Sequence, residues 1–163
     1  TSSRKEDLNK ISKFYPTLAE ILSQEPLTLT HFDYRVENIF FSHDMEKIAV
    51  IDWQLVMKNV PGYDLAYLLF SNTDIDLRRN IFDECCKTFL SGLKARNLDL
   101  SHDKLHKNMM YSLMAQTIIP VNGGANFDLE NQRSRKLFEV IADRMFSAIE
   151  DYDATSYIEE QWK

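Results

Sequence analysis

A short polar pattern followed by an apolar run that ends in aspartate constrains the fold of this chain more than any other feature. The pattern H-x-D-x-x-x-x-N extends from His31 to Asn38, and the run I-A-V-I leads directly into Asp52. Apolar runs at 38–41 and 47–51 flank a polar segment of hairpin-turn length, which predicts two paired strands. The polar residues therefore fall where short strands end, and catalytic groups are often held on such loops.

The segment before this pattern carries apolar residues at helical spacing. Residues 5–23 predict a helix, and a further short strand is predicted at 27–30. Pro16 lacks an amide donor and crowds the preceding turn, so we expect it to break or restart the helix. Pro26 is expected to end the segment.

The chain after the pattern is predicted to be almost entirely helical. Helices are expected at 64–70, at 74–95 after a cap at Thr73 or Asp74, and at 102–118 after a cap at Ser101.

Pro120 and the Gly123-Gly124 pair are expected to break the chain, and Asp128 to cap a last helix. A small β region followed by a helical body is an α+β arrangement. We therefore expect an α+β fold with a β-ribbon at about 27–58.

The composition fits one globular domain over residues 1–163. Hydrophobic residues make up 44 % of the chain, and the net charge of −6 argues against a general nucleic-acid binder, which needs a basic face. No apolar run approaches the roughly 20 residues that span a bilayer. Cys85 and Cys86 are adjacent on a predicted helix, about 100° apart, so a disulfide between them is not expected. Because disulfides are typical of oxidising compartments, we expect a cytoplasmic location.

The polar pattern supplies the parts that phosphoryl transfer requires: a carboxylate for the attacking hydroxyl, oxygen ligands for Mg²⁺, and a cation near the phosphate. Asp33 can be the carboxylate. Asn38 and Asp52 offer hard oxygen ligands, of which Mg²⁺ needs only one or two from a protein. Arg35 can meet a phosphate or serve as a surface ion-pair partner. His31 is interpreted as a residue that supports the loop.

The loop resembles the kinase catalytic loop H-R-D-L-K-P-E-N and, more closely, H-G-D-x-x-x-x-N of the aminoglycoside phosphotransferase superfamily. Residues 51–54 (I-D-W-Q) resemble the I-D-W/F-x segment of that superfamily, and residues 61–66 (P-G-Y-D-L-A) resemble its P-x-x-D-L-A. The ecdysteroid-kinase-like branch is the most similar. The chain departs from the superfamily pattern at two places. Phe32 stands in the place of glycine, and the pair Glu37-Asn38 is closer to the protein-kinase form than to the common D-N.

This resemblance implies a kinase-like C-terminal lobe that uses ATP and Mg²⁺ to phosphorylate a hydroxyl of a small molecule. It implies that Asp33 is the catalytic base and Arg35 lies near the transferred phosphate. Asn38 and Asp52 are the implied cofactor and metal ligands, and Asp64 is implied to hold the backbone of the catalytic loop.

The strong resemblance covers residues 27–70, and residues 73–163 are then expected to form a helical substrate-binding region. Members of this superfamily also have an N-terminal lobe with a lysine and a loop over the nucleotide phosphates, which the chain lacks. It is therefore expected to be the C-terminal lobe of a longer protein, with its own N-terminal lobe as partner, or a degenerate homologue.

Two alternative functions follow from the same residues. A kinase-shaped binding module without catalysis is favoured by the missing lobe and by Phe32. A protein kinase is disfavoured, because the short interval between Asp52 and Asp64 leaves no room for a long activation segment.

Other polar and sulfur-containing residues have simpler interpretations. His102 and His106 stand four residues apart but lack a third zinc ligand. Methionines at 109, 110 and 114 are predicted to lie in the core or line a substrate pocket, with the core favoured. Acidic residues of the last helix form either a solvated face or a pocket for a cationic substrate. They are Glu139, Asp143, Glu150, Asp151 and Asp153.

Overall fold

The β region of this computed structural model consists of two antiparallel strand pairs; the structure describes residues 2–24, 26–126 and 131–161. Strands β2 (Ile39–Phe41) and β3 (Ile48–Val50) form the predicted hairpin. Strand β1 (Thr28–Thr30) pairs with β4 (Met57–Asn59), in the register Thr28 to Asn59. The sequence did not predict β4, because only three residues pair and no alternating pattern marks them.

Helix α1 (Ser2–Leu22) runs without a break through Pro16, so the predicted interruption is wrong. Pro16 and Ser12 are both exposed, and the carbonyl that loses its amide partner can therefore bond water. Buried Phe14 and Leu18 lie on either side of the proline and hold the helix on the core. The burial of these side chains thus outweighs the low helix propensity of proline.

The helices after the β region confirm most of the predicted spans. Asp74 caps α3 by accepting from the Asp76 amide, and Ser101 caps α4 by accepting from the Lys104 amide. The helices are α2 (Tyr63–Tyr67), which continues into a π-helical turn (Leu68–Asn72), α3 (Ile75–Lys94), α4 (His102–Gln116), α5 (Ile118–Asn126), α6 (Gln132–Asp151) and α7 (Ser156–Gln161). The predicted α+β class is thus confirmed.

The expected break at Pro120 and the glycine pair is wrong, because α5 continues through them. Pro120 is the third residue of α5, where its missing amide costs no intrahelical hydrogen bond. Gly123 faces the ring of Phe138, and a Cβ there would lie 2.0 Å from the ring atom Cε1. Asp128 lies outside the described residues. The cap of α6 is Asn131, which accepts from two amides.

Helix α4 lies at the centre of the core and packs against α1, α2 and α6. Its methionines 109, 110 and 114 are fully buried, which confirms the core interpretation. Asn108 donates to the Pro61 carbonyl at 3.1 Å, and Gln116 donates to the Tyr63 carbonyl at 3.1 Å. These two hydrogen bonds fix the start of α2 and hence the position of Asp64.

Several acidic side chains of α6 make ion pairs, so a purely solvated face describes them incompletely. Arg4 pairs with Asp143 at 2.6 Å and with Glu150 at 3.4 Å. Asp151 accepts from the guanidinium of buried Arg78 at 2.5 Å and from Arg79 at 2.9 Å. Within the described ranges, no helix is long and apolar enough to cross a membrane.

Candidate active site

The Asp33 carboxylate lies at the centre of the polar cluster that the sequence pattern marks. Asn38 Nδ2 donates to the Asp33 carbonyl at 2.9 Å and to Asp33 Oδ2 at 3.2 Å. Arg35 Nε lies 3.4 Å from the same Oδ2. Tyr67 donates to the other oxygen, Oδ1, at 3.4 Å. Each carboxylate oxygen thus has its own contact, and the orientation of the carboxylate is defined.

Tyr67 belongs to this cluster but was missed by sequence reasoning. It lies three residues after Asp64 in α2, and residues three apart share a helix face. That spacing places its hydroxyl next to the loop that Asp64 contacts. The spacing from Asp64 is the signal that could have identified it.

Asp64 binds the backbone of the loop directly. Its Oδ2 accepts from the His31 amide at 2.7 Å, and its Oδ1 accepts from the Phe32 amide at 3.0 Å. Burial raises the pKa of the Asp64 carboxyl, and the two amide donors oppose that rise. The carboxylate therefore holds two consecutive residues just before Asp33.

Phe32 occupies the left-handed region of backbone conformation, with φ of 72°. Side chains adopt this region rarely, and it is the conformation that glycine accepts without strain. The Phe32 ring stacks on Tyr63 with centroids 5.2 Å apart and planes 5° from parallel. The stack and the Asp64 hydrogen bond explain how phenylalanine holds a glycine-like geometry here.

His31 connects the loop to the end of β3. Its ring is 1 % exposed, and Nε2 lies 2.7 Å from the Ile51 carbonyl oxygen, so Nε2 carries the proton. Its ring also meets Trp53 edge-on, with centroids 4.8 Å apart. The histidine therefore fixes the backbone next to Asp52.

Asp52 follows that anchored residue and has a left-handed backbone, with φ of 65° and ψ of 52°. It precedes the 3-10 turn Trp53–Leu55, yet its exposed carboxylate makes no capping hydrogen bond there. The amide of Ile51 donates to the Asn38 carbonyl at 3.0 Å. The backbone thus brings Asp52 and Asn38 into neighbouring positions.

The oxygen atoms of this cluster fit a hard divalent cation. Asn38 donates both of its hydrogen bonds to Asp33 through Nδ2, which leaves its amide oxygen available as a ligand. The Asp52 carboxylate is likewise not engaged in capping. Among the described residues, no group of three or more histidine, cysteine, aspartate or glutamate side chains could hold a metal ion by itself. A cation here would need further ligands, as Mg²⁺ with nucleotide phosphates does.

A cavity of about 610 Å³ opens next to the carboxylate. Asp33, Arg35 and Tyr67 form its polar end. Apolar side chains of α5 and α6 form most of the remaining wall: Ile118, Ile119, Leu137, Phe138 and Ile141. Sequence reasoning did not identify these residues, because their helical spacing is equally typical of core packing.

A comparison with known protein families identifies the family of this chain. A model described as the ecdysteroid kinase-like family matches residues 3–102, which include the loop at 31–38, Asp52 and Asp64. The chain belongs to this family. It is therefore a member of a kinase-like transferase family. No curated protein and no solved structure matches the chain.

Proposed function

We propose that this chain is the C-terminal lobe of a longer ATP- and Mg²⁺-dependent enzyme that phosphorylates an alcohol. The observation that carries the proposal is the Asp33 carboxylate, which Asn38 holds at the polar end of a large apolar cavity. A positioned carboxylate beside room for a substrate is what a phosphotransferase needs, since most of the catalysis is positioning and electrostatics.

In the proposed reaction, the acceptor hydroxyl lies in the cavity and Asp33 accepts its proton. The alcohol oxygen forms a bond to the terminal phosphorus of ATP, the bond from that phosphorus to the bridging oxygen breaks, and ADP leaves. Arg35 lies at the same end of the cavity, 3.4 Å from Asp33, and can move its guanidinium to the transferred phosphate.

Asn38 and Asp52 would hold Mg²⁺ through their side-chain oxygens. The bound ion would neutralise phosphate charge as the reaction proceeds. The proposal draws support from two features of the chain: the amide oxygen of Asn38 is available, and the Asp52 carboxylate does not cap the turn that follows it.

The cavity wall favours an uncharged, largely apolar alcohol as acceptor, and the family description suggests an ecdysteroid. A cationic acceptor would be stabilised by carboxylates, but Asp33 is the one acidic side chain that lines this cavity among the described residues. Asp143 and Glu150 pair with Arg4 instead. Those pairs argue against the cationic pocket that the sequence left open.

The proposed N-terminal lobe would cover the exposed apolar side chains of the β region. Most of these lie on or next to the hairpin and the segment that follows it, including Phe40, Phe41, Ile48 and Trp53, all about half exposed. A large exposed apolar patch commonly marks an interaction surface. The patch adjoins Asp52, where nucleotide would bind.

The test compares Asp33→Asn with the parent in the full-length protein. With labelled ATP as donor and ecdysone as acceptor, we expect kcat to fall by roughly 100-fold or more, because the positioned base is lost. The Kd for Mg·ATP should stay unchanged, since Asp33 acts on the hydroxyl. Asp99→Asn removes an exposed carboxylate far along the chain and should leave both values unchanged.

Normal turnover in folded Asp33→Asn would remove Asp33 from the mechanism. The second candidate, a binding module without catalysis, is favoured by Phe32, which stands in a left-handed position usually held by glycine. Binding of Mg·ATP by the parent without transfer to ecdysone or water would support that module instead.

A further inference from the structure

Tyr67 has a place in the cluster that the proposed function does not use. Its side chain is 6 % exposed, its hydroxyl contacts Asp33 Oδ1 at 3.4 Å, and it lines the cavity. A hydroxyl bond of this length is weak, but catalytic hydrogen bonds often tighten when substrate binds. Tyr67 thus contacts both the carboxylate and the space for an acceptor.

The two oxygens of Asp33 face different groups. Oδ2 meets Asn38 and Arg35, the residues assigned to the metal and the phosphate. Oδ1 meets Tyr67 instead. Because a carboxylate oxygen accepts more than one hydrogen bond, Oδ1 can hold the Tyr67 hydroxyl and the acceptor hydroxyl together.

Tyr67 can serve as a lasting donor to that oxygen. Burial, together with the nearby Asp33 charge, raises the pKa of the Tyr67 phenol to about 12. The phenol therefore stays protonated at neutral pH and can donate to the Asp33 carboxylate, which when ionised only accepts hydrogen bonds.

The backbone of Tyr67 is fixed by an irregular turn. Tyr67 ends α2, and its carbonyl accepts from Ser71 Oγ at 2.5 Å and from Asn72 Nδ2 at 3.2 Å. These contacts belong to the π-helical turn, a feature frequent at functional sites. Arg144 of α6 donates to the Ser71 and Asn72 carbonyls at 3.3 and 3.2 Å. The helix that forms part of the cavity wall therefore also fixes the turn that follows Tyr67.

We propose that Tyr67 is a positioning residue, whose hydroxyl turns Asp33 Oδ1 toward the acceptor alcohol while Arg144 holds the turn that follows it. The inference rests on the proposed function. It predicts that Tyr67 acts on the acceptor half of the reaction and leaves the nucleotide half unchanged.

The experiment uses Tyr67→Phe in the full-length protein, with labelled ATP as donor and ecdysone as acceptor. Loss of a hydrogen bond to a charged group should lower kcat by about 10-fold. The KM for Mg·ATP should change by less than about 2-fold, since the phenol donates its hydrogen bond to Asp33 Oδ1 and not to Asn38 or Arg35. Tyr15→Phe is the matched control, because its hydroxyl makes one contact of similar length, 3.3 Å, to the Ala115 carbonyl. It should behave as the parent.

A second variant, Arg144→Gln, loosens the turn without removing the phenol. It should lower kcat in the same direction with unchanged KM for Mg·ATP, and it decides the question if Tyr67→Phe does not fold. Parent-like kcat in folded Tyr67→Phe, or an equal loss in kcat and nucleotide affinity, would overturn the inference while the proposed function stands. A parent that transfers phosphate neither to ecdysone nor to water would overturn both.

Discussion

The two hydrogen bonds that Asp64 accepts from the loop before Asp33 allow a quantitative prediction for Asp64→Ala. The substitution removes both acceptors, of the His31 amide at 2.7 Å and of the Phe32 amide at 3.0 Å. Each hydrogen bond to a charged group contributes about 1.5–3 kcal/mol. Burial disfavours the charged carboxylate, as its raised pKa shows, and removing that charge offsets part of the loss. We expect the free energy of unfolding to fall by about 2–4 kcal/mol.

The assay is urea unfolding of Asp64→Ala beside Asp74→Ala. Asp74 accepts one amide hydrogen bond, from Asp76 at 3.1 Å, at the exposed start of α3. Loss of such a cap lowers the free energy of unfolding by about 1 kcal/mol. Asp74→Ala thus measures the loss of one hydrogen bond to a backbone amide, against two in Asp64→Ala. Amide exchange of His31 and Phe32 is the second readout, because the loop can open locally before the whole chain unfolds.

The sign of the pH dependence gives an independent check. The folded state raises the pKa of Asp64 above its ordinary value of 3.8. The folded state therefore binds a proton at Asp64 more tightly than the unfolded state does. The contribution of Asp64 to stability therefore falls as pH rises from 3.8 through the raised value. The stability difference between the parent and Asp64→Asn should grow on acidification through that window.

An Asp64→Ala protein whose stability loss does not exceed that of Asp74→Ala would refute the reasoning, provided that the His31 and Phe32 amides also exchange at parental rates. Such a result would mean that the stack of Phe32 on Tyr63 holds the loop by itself. Faster exchange at those amides, with a small global loss, would instead locate the effect in local opening.

Three further substitutions probe the site. Asp52→Ala should weaken ATP binding with Mg²⁺ but not without it, by titration calorimetry of the full-length protein; an equal loss without Mg²⁺ would make Asp52 structural. Phe32→Gly should lower stability by about 1–2 kcal/mol, since the lost stack and buried ring area exceed the strain relieved; a more stable variant would contradict this. Gly123→Ala should push the Phe138 ring aside and raise the KM for ecdysone without changing that for ATP; an unchanged KM for ecdysone would leave that wall out of acceptor binding.

The sequence predicted best those features that local chemistry decides. The hairpin of β2 and β3 follows from two apolar runs around a polar turn, and the caps Asp74 and Ser101 follow from side chains that accept amide bonds. The polar loop was visible because its residue types and spacing together are rare. Each of these signals lies within a few neighbouring residues.

Features that depend on partners distant in the chain could not be predicted in the same way. Pro16 reads as a helix breaker, but the burial of Phe14 and Leu18 against other helices keeps α1 intact. The glycine pair reads as a turn, but Gly123 instead gives the Phe138 ring room to pack. In both cases tertiary packing outweighs a local preference of about 1–3 kcal/mol.

Tyr67 shows why the polar cluster around Asp33 includes residues outside its sequence motif. The motif supplies Asp33 and Asn38, which are five residues apart and meet within one loop. Tyr67 reaches the opposite oxygen from α2, where Asp64 sets the distance of the helix from the loop and Arg144 sets the end of the turn. A motif records contacts within a loop, whereas the orientation of a carboxylate also depends on the helices that face it. Residues that orient such a carboxylate are therefore best sought on the helix that also holds its loop, as α2 does here with Asp64 and Tyr67.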